Sequence, residues 1–284
     1  MIDTDILLST YNGEKYLRQQ IESIIAQDYT DWRLLIRDDG SKDGTLDIIN
    51  GYCQQYPGKI ELLQDGKGNV GCTKSFEALM YASDAPYLMF CDQDDVWLHD
   101  KVGKTVSAVK QAEKDGHLPV IAHCDQKVVD ADLNVLDESF INYSQTNVDL
   151  YKKNPLFMVI SNYIPGCTIC MNNIAKQISL PIGQSALMHD WWIILKTIDN
   201  GGKIIDIQEP LMLYRQHGIN VCGATHEKFN CAYYLRKTRK IKDMVGINKK
   251  LFKQAKEAIN LNLLAYLMIR IRIFWKYRYR ISMK

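Results

Sequence analysis

Tyr87-Leu88-Met89-Phe90-Cys91-Asp92-Gln93-Asp94-Asp95-Val96-Trp97 is an apolar run of strand length that breaks into three carboxylates within four positions. Carboxylates crowded this closely repel one another unless a cation neutralises them, and hard oxygen ligands at a strand end suit Mg²⁺ or Mn²⁺. Taken alone, the same residues are also a solvated acidic turn with Asp95 capping a helix, so the reading depends on what surrounds them.

Upstream, the pattern of a strand ending in a polar loop repeats. Ile6–Leu8 is apolar and stops at Ser9-Thr10-Tyr11-Asn12-Gly13, after which Leu17, Ile21, Ile24 and Ile25 recur at helical spacing. Trp32–Arg37 predicts a second strand that stops at Asp38-Asp39-Gly40-Ser41-Lys42-Asp43-Gly44-Thr45, where Asp43 is placed to cap a helix carrying Leu46, Ile49, Tyr52 and Cys53. Ile60–Leu63 predicts a third strand and Phe76–Ala82 a third helix. Strands alternating with helices imply a parallel sheet, and ligands of such sheets sit beyond the carboxyl ends of the strands. The polar loops all follow strands, so they describe one site. Downstream the pattern predicts a helix over Val102–Glu113, a strand over Val120–Cys124, a hairpin through Asp130–Asn134, a loop at Pro165-Gly166, a helix carrying His189-Asp190-Trp191-Trp192 and a strand at Lys203–Asp206.

The 284 residues are 46% apolar, enough to bury a substantial core, and no low-complexity tract or solenoid repeat interrupts them. The N-terminus lacks the basic start and long apolar segment of a signal peptide, and the eight scattered cysteines, with Cys91 and Cys124 in strand-like runs, read as reduced thiols. A cytoplasmic protein is expected. Cys167 and Cys170 form a CxxC without a second pair, which argues against a zinc site. Net charge is only +2, but Thr225–Lys284 holds 16 Lys and Arg against three acidic residues, leaving 19 basic and 30 acidic residues before it. The body is acidic and the tail basic.

Together these segments resemble the family 2 glycosyltransferases of the GT-A fold, over roughly the first 220 residues. Ser9–Gly13 is similar to the first nucleotide-contact loop of that family, and Asp38-Asp39-Gly40-Ser41 with Asp43-Gly44-Thr45 to the second. Asn69-Val70-Gly71 is similar to a third segment, and Cys91–Trp97 with Lys101 to the acidic strand of a branch associated with rhamnosyl transfer. His189-Asp190-Trp191-Trp192 resembles the acceptor-side motif of the same branch, and Tyr214-Arg215-Gln216-His217 with Asn220 its late donor-side loop. Lys74-Ser75-Phe76 departs from the Lys-Asn-Phe of relatives, and Ser75 receives no role.

The resemblance implies an α/β GT-A domain, a mostly parallel Rossmann-like sheet flanked by helices, over residues 1–224; the charge pattern adds a basic helical extension over 225–284. It implies inverting transfer of a sugar, L-rhamnose first, from a nucleotide-diphosphate donor, dTDP- or UDP-linked, to a saccharide or lipid-linked acceptor in cell-surface polysaccharide synthesis. Ser9, Thr10, Tyr11, Asn12, Asp38, Asp39, Gly71, Lys74, Asp92, Gln93 and Arg215 would meet the donor, with Asp39 accepting from the imide N–H of the base. Asp92, Asp94 and His217 would hold Mg²⁺ or Mn²⁺, and Asp190 would be the general base. Each motif has a plainer reading: turn chemistry for Asp38–Ser41, a surface histidine for His217. A UDP-hexose donor, or a silent sugar-nucleotide-binding or membrane scaffold protein, stays open beside the main reading.

Leu263–Ile269 is too short an apolar run to span a bilayer, yet basic residues interleaved with Phe274, Trp275, Tyr277 and Tyr279 suit a helix lying in an anionic membrane surface at the inner face of the cell membrane. Composition alone leaves equally open a helix packed on the domain with a solvated basic face. No nucleic-acid module accompanies the tail.

Overall fold

The computed structural model describes residues 2–114, 116–217 and 241–281. Its elements run β1 (Thr4–Thr10), α1 (Leu17–Ile25), β2 (Trp32–Asp38), α2 (Thr45–Gln55), β3 (Ile60–Leu62), α3 (Cys72–Ala82), β4 (Tyr87–Cys91), β5 (Val96–Trp97) and α4 (Lys101–Glu113). They continue with β6 (Val120–Val129), β7 (Val135–Asp137), α5 (Phe140–Tyr143), α6 (Val148–Lys153), β8 (Ile169–Asn172), α7 (Asn173–Ser179), α8 (His189–Asp199), β9 (Lys203–Arg215), α9 (Ile241–Ile259) and α10 (Leu263–Ile281). The predicted βαβ alternation, the hairpin at Asp130–Asn134 and the helix carrying Asp190 are all present. Asn220 and the 224/225 boundary lie outside the described residues.

One sheet runs through the molecule in the order β3-β2-β1-β4-β8-β6-β9-β5, with β7 on β6. Its first four strands are parallel, with Thr10 opposite Asp38 and Leu8 opposite Cys91, so the loops after β1, β2 and β4 open on one edge. From β8 on, the sheet is mixed: β8 runs antiparallel to β4 and β6, while β6 and β9 are parallel.

Strands β1, β2 and β4 read as near-continuous apolar runs because helices cover both faces, as buried parallel strands require. Successive side chains alternate between the two faces. Leu7, Leu35 and Phe90 join a core with α3 and α8, whereas Ile6, Leu8, Leu34 and Ile36 join one with α1, α2 and α4. Asp43 stands one residue outside the expected capping position, and its carboxylate accepts from both the N–H and the hydroxyl of Thr45 at the start of α2. Cys91, Cys124, Cys167 and Cys170 are buried thiols.

The basic tail is in part structural. Leu251, Ala255 and Ala258 of α9 and Tyr266, Ile269 and Ile273 of α10 are buried in the α8-side core. Glu257 accepts the N–H groups of Gln184 and Ser185, and Gln254 that of Leu187, so α9 latches the segment leading into α8. Among the described residues no single helix is long and apolar enough to cross a membrane.

Candidate active site

Three loops meet at the carboxyl edge of the parallel strands and are laced to one another by hydrogen bonds. The Thr10 hydroxyl donates to Asp38 Oδ1 (2.9 Å), which also accepts from the Ser41 hydroxyl, while Asp38 Oδ2 accepts the Gly40 and Ser41 N–H groups. A carboxylate offers about four lone-pair sites, so Asp38 is saturated by its own loops. Asn12, at φ +48°, accepts Lys42 N–H on its Oδ1 and donates its own N–H to Ser41 Oγ, both at 2.8 Å. Gln93, on the acidic loop, clamps the first loop by accepting Tyr11 N–H (2.8 Å) and donating to Tyr11 O (3.1 Å). Gly13 lies beneath that clamp, where a Cβ would stand 2.4 Å from Gln93 Oε1.

Asp39 is 4% exposed and accepts the N–H groups of Val70 (2.8 Å) and Gly71 (2.9 Å) as well as an Arg37 guanidinium N–H (2.6 Å). Three of its lone-pair sites are thus used, leaving one for an incoming donor N–H. The third segment matters as backbone: Gly71 holds φ +82°, which favours glycine, and delivers its N–H to Asp39. Arg37 was not singled out from the sequence. It is 1% exposed and also grips the Asp65 carboxylate (2.9 Å), the Gly68 carbonyl and the Ser75 hydroxyl, which itself accepts from Ser9 Oγ (2.7 Å). A charged residue ending the apolar run Leu34–Ile36 was the available signal, because a buried cation needs partners.

Removing that cation should leave two carboxylates facing each other without compensation. Arg37→Met is expected to lower stability by about 3 kcal/mol, the low end for breaking a buried pair because Asp65 keeps some solvent. Arg37→Lys should restore much of the melting temperature but not donor affinity, since an ammonium cannot reproduce the fork. Thermal unfolding and calorimetric titration with a nucleotide sugar check both; wild-type melting of Arg37→Met would show that Asp39 does not depend on it.

On the acidic loop, Asp92, Asp95 and Cys167 each bring a possible ligand atom within 4.8 Å of the others. Asp95 is fully buried; its Oδ1 accepts Arg215 N–H, and its Oδ2 has no hydrogen-bond partner. Burial and the neighbouring Asp94 and Asp92 hold the Asp95 carboxyl well above the usual carboxylate range, and burial with Asp94 and Asp190 raises that of Asp92. An orphaned buried oxygen among clustered carboxylates is the arrangement a hard divalent cation fits, whereas the Cys167 thiol, whose pKa burial raises, is a poor hard-ion ligand. Asp94 Oδ2 lies 2.7 Å from His217 Nε2, and the His217 ring stacks on Tyr16 at 4.9 Å. Of the expected trio, His217 pairs with Asp94, while Asp92 has Asp95 within ligand reach on the same loop.

Arg215 is 2% exposed, and its guanidinium spans Asp94 O (2.7 Å), Ala131 O (2.7 Å) and Gln19 Oε1 while lying over the Tyr16 ring. It braces the acidic loop from behind. The Lys74 ammonium pairs with Glu77 (2.6 Å) and Ile182 O at the rim of α3. Lys101 is fully buried, donating to Cys167 O (2.6 Å) over the Trp97 ring.

Asp190 reaches the site from the other half of the chain, in the first turn of α8, where it accepts Trp191 N–H (2.6 Å) and a bond from Gly166 N–H. Burial pushes its carboxyl up to about 6. The indoles behind it are pinned, Trp191 to Met158 O and Trp192 to Ser179 O. His189 packs on Phe76 and Phe90 at 4.2 and 4.8 Å, and burial holds it neutral with a pKa of about 3. It serves the core, while Asp190 faces the acidic loop.

The profile of glycosyl transferase family 2 matches residues 5–185. The chain belongs to that family. It is 30% identical over 232 residues to the dTDP-rhamnosyl transferase RfbG of Shigella flexneri, covering 76% of this chain and 74% of that protein. Among solved structures it is similar to TarS of S. aureus in complex with UDP-GlcNAc (TM-score 0.62, 14% identity, 96% of this chain and 71% of that one). It is also similar to the mannosyltransferase PcManGT of Pyrobaculum calidifontis in complex with GDP-Man and Mn²⁺ (TM-score 0.56, 14% identity, 97% and 75%). These likenesses establish the family and the GT-A fold, and with them a glycosyltransferase using a nucleotide sugar.

Proposed function

We propose that this family 2 enzyme moves L-rhamnose from dTDP-rhamnose to a hydroxyl of a saccharide or lipid-linked acceptor, inverting the anomeric carbon, in the synthesis of a cell-surface polysaccharide at the cytoplasmic side of the membrane. The observation that carries the reaction class is the approach of two acid sets from different halves of the chain: a Cβ on Gly166 would stand 3.4 Å from Asp190 Cβ on α8, and the next residue, Cys167, lies within 4.8 Å of Asp92 and Asp95 on the β4 loop. One set would lie at the departing diphosphate and the other at the attacking hydroxyl. The similarity to a dTDP-rhamnosyl transferase favours the donor.

In this reading the last acceptor site of Asp39 takes the imide N–H of the base, and backbone from Ser9 to Asn12 with Gly71 shapes the nucleotide cleft. Asp38 and Gln93 hold these loops in register, and Arg215 keeps the acidic loop in place from behind. Mg²⁺ or Mn²⁺ held by Asp92 and Asp94, with Asp95 and His217 at hand, would offset charge on the leaving diphosphate. Asp190 would accept the proton of the acceptor hydroxyl on the face opposite the leaving group, its raised pKa making it a better base near neutral pH.

Release of nucleoside diphosphate measured across a panel of sugar nucleotides tests the donor. Turnover with dTDP-rhamnose should exceed that with UDP-hexoses by about 10-fold or more, the discrimination available from pocket contacts. A preference for UDP-galactose or UDP-N-acetylglucosamine would overturn the donor and leave the reaction class standing. No turnover with any donor, despite tight binding, would favour a silent sugar-nucleotide-binding protein.

A further inference from the structure

We propose that the outward face of α10 is a docking surface for an anionic lipid bilayer, on which the helix lies in the membrane plane. Leu264, Leu267, Met268, Ile271, Phe274 and Trp275 are between 40% and 69% exposed. At about 100° per residue they fall within one stripe about 120° wide. The opposite side, Tyr266, Ile269 and Ile273, is already buried against the domain. The helix is therefore apolar on two faces, and the domain uses only one. At the same spacing Arg270 and Arg272 fall on either border of the exposed stripe; Arg272 is exposed and can reach headgroups while its stem stays against apolar surface, and the half-buried Arg270 donates to Asn248 Oδ1 of α9.

Charge selects the occupant. From Ala258 to Lys284 the sequence has six Lys and Arg and no Asp or Glu, so two copies meeting through this face would bring like charges together. An anionic leaflet supplies the opposite charge, and the exposed aromatic pair Phe274–Trp275 suits the boundary between headgroups and acyl chains. Geometry argues for lying on the surface: no single described helix passes as a span, and although α9 and α10 together have the length and composition of one, they bend by 118° at their junction and bury Leu251, Ala255, Tyr266 and Ile269 in the domain core.

The docking face is also joined to the acceptor side of the site. Lys276 of α10 donates to Asn154 Oδ1 and lies over the Phe157 ring; the next residue, Met158, accepts the indole N–H of Trp191, neighbour of Asp190. A membrane-held acceptor, which rests on the function proposed above, gives this arrangement a purpose; docking itself needs no turnover.

The full chain should co-sediment with vesicles of equimolar phosphatidylcholine and phosphatidylglycerol at low salt, and at least 10-fold more weakly with phosphatidylcholine alone. Leu264→Ser/Leu267→Ser/Ile271→Ser should weaken binding to the mixed vesicles at least 10-fold, and Arg270→Glu/Arg272→Glu should remove most of the difference between the two compositions. Trp275→Phe should lose the fluorescence quenching that brominated lipid produces in the wild-type chain. Calorimetric donor binding on the same preparations should be unchanged, which shows the domain folded and separates this result from the donor reading. Wild-type indifference to mixed vesicles, or undiminished binding by the triple serine variant, would overturn the proposal. So would a wild-type dimer that the triple variant dissolves without any vesicle binding, which would assign the face to a second copy.

Discussion

Asp190→Asn is expected to lower kcat by at least about 100-fold while leaving donor affinity within a factor of about two, the scale of losing a general base without losing binding contacts. Asparagine keeps the size and can still accept Trp191 N–H, but cannot take the acceptor proton. The wild-type rate should fall with acid around pH 6, where Asp190 protonates, and that limb should be absent from the residual rate of the variant. Stability supplies a second readout. The folded pKa lies above the ordinary aspartate value of about 3.9, so the folded state binds the proton more tightly than the unfolded chain. Stability therefore falls as pH rises from about 4 to about 6, and ionised Asp190 is a net burden at neutral pH. Asp190→Asn should melt no lower than wild type at pH 7.5, and higher if the burden is fully relieved. A variant with near-normal kcat and a lowered melting temperature would reduce Asp190 to a helix-start residue, and a product with retained configuration would rule out single displacement.

Chelation should remove activity by at least about three orders of magnitude, because a divalent ion at a diphosphate supplies several kcal/mol of transition-state stabilisation. Asp92→Asn and Asp94→Ala should do the same with metal present. The carboxylate cluster gives this a reading independent of rate. Asp92 and Asp95 repel one another in the absence of a cation, so Mn²⁺ should raise the melting temperature, by about 2.7 kcal/mol of stability at 100 times its Kd. Asp92→Asn should melt higher than wild type in EDTA and gain less from Mn²⁺. Full activity in excess EDTA, with no thermal shift, would take the ion out of the mechanism.

The parallel half of the fold was legible because its signals are local: apolar strands ending in polar loops, each followed by helical spacing. The mixed half was less so. Strands β8 and β9 join the sheet across long separations in sequence, and nothing near Ile169 or Lys203 specifies an antiparallel or a parallel neighbour. Within the site, the acidic loop and Asp190 were singled out by the company they keep, since the motifs stand in the family's order and each strand ends at its polar loop. The resemblance gave the base contact to Asp39, but residue type and spacing alone do not separate it from Asp38, which its own turn saturates. Arg37 and Ser75 were missed for the related reason that their partners, Asp65, Gly68 and Ser9, are brought together only by the folded loops. The bonds of Arg215 to Asp94 and Ala131 and its place over the Tyr16 ring were not legible, because burial is invisible in a one-dimensional pattern.

The lacing of the first two loops has a bearing on how this cleft can be re-engineered or can diverge. Asn12 is tied to Ser41 and Lys42, Gly13 to Thr45, and Glu14 to Asp43 and Gly44. Effects of substitutions in the two segments will not add, since each side supplies the other's hydrogen-bond partners. Transplanting one segment from a relative with another donor would leave the buried Gly13 N–H without its Thr45 acceptor and unmake the solvent-facing bonds of Asn12 and Glu14. Residues 9–14 and 38–45 therefore form one coupled unit, and exchanging them together should preserve the loop geometry that exchanging either alone would lose.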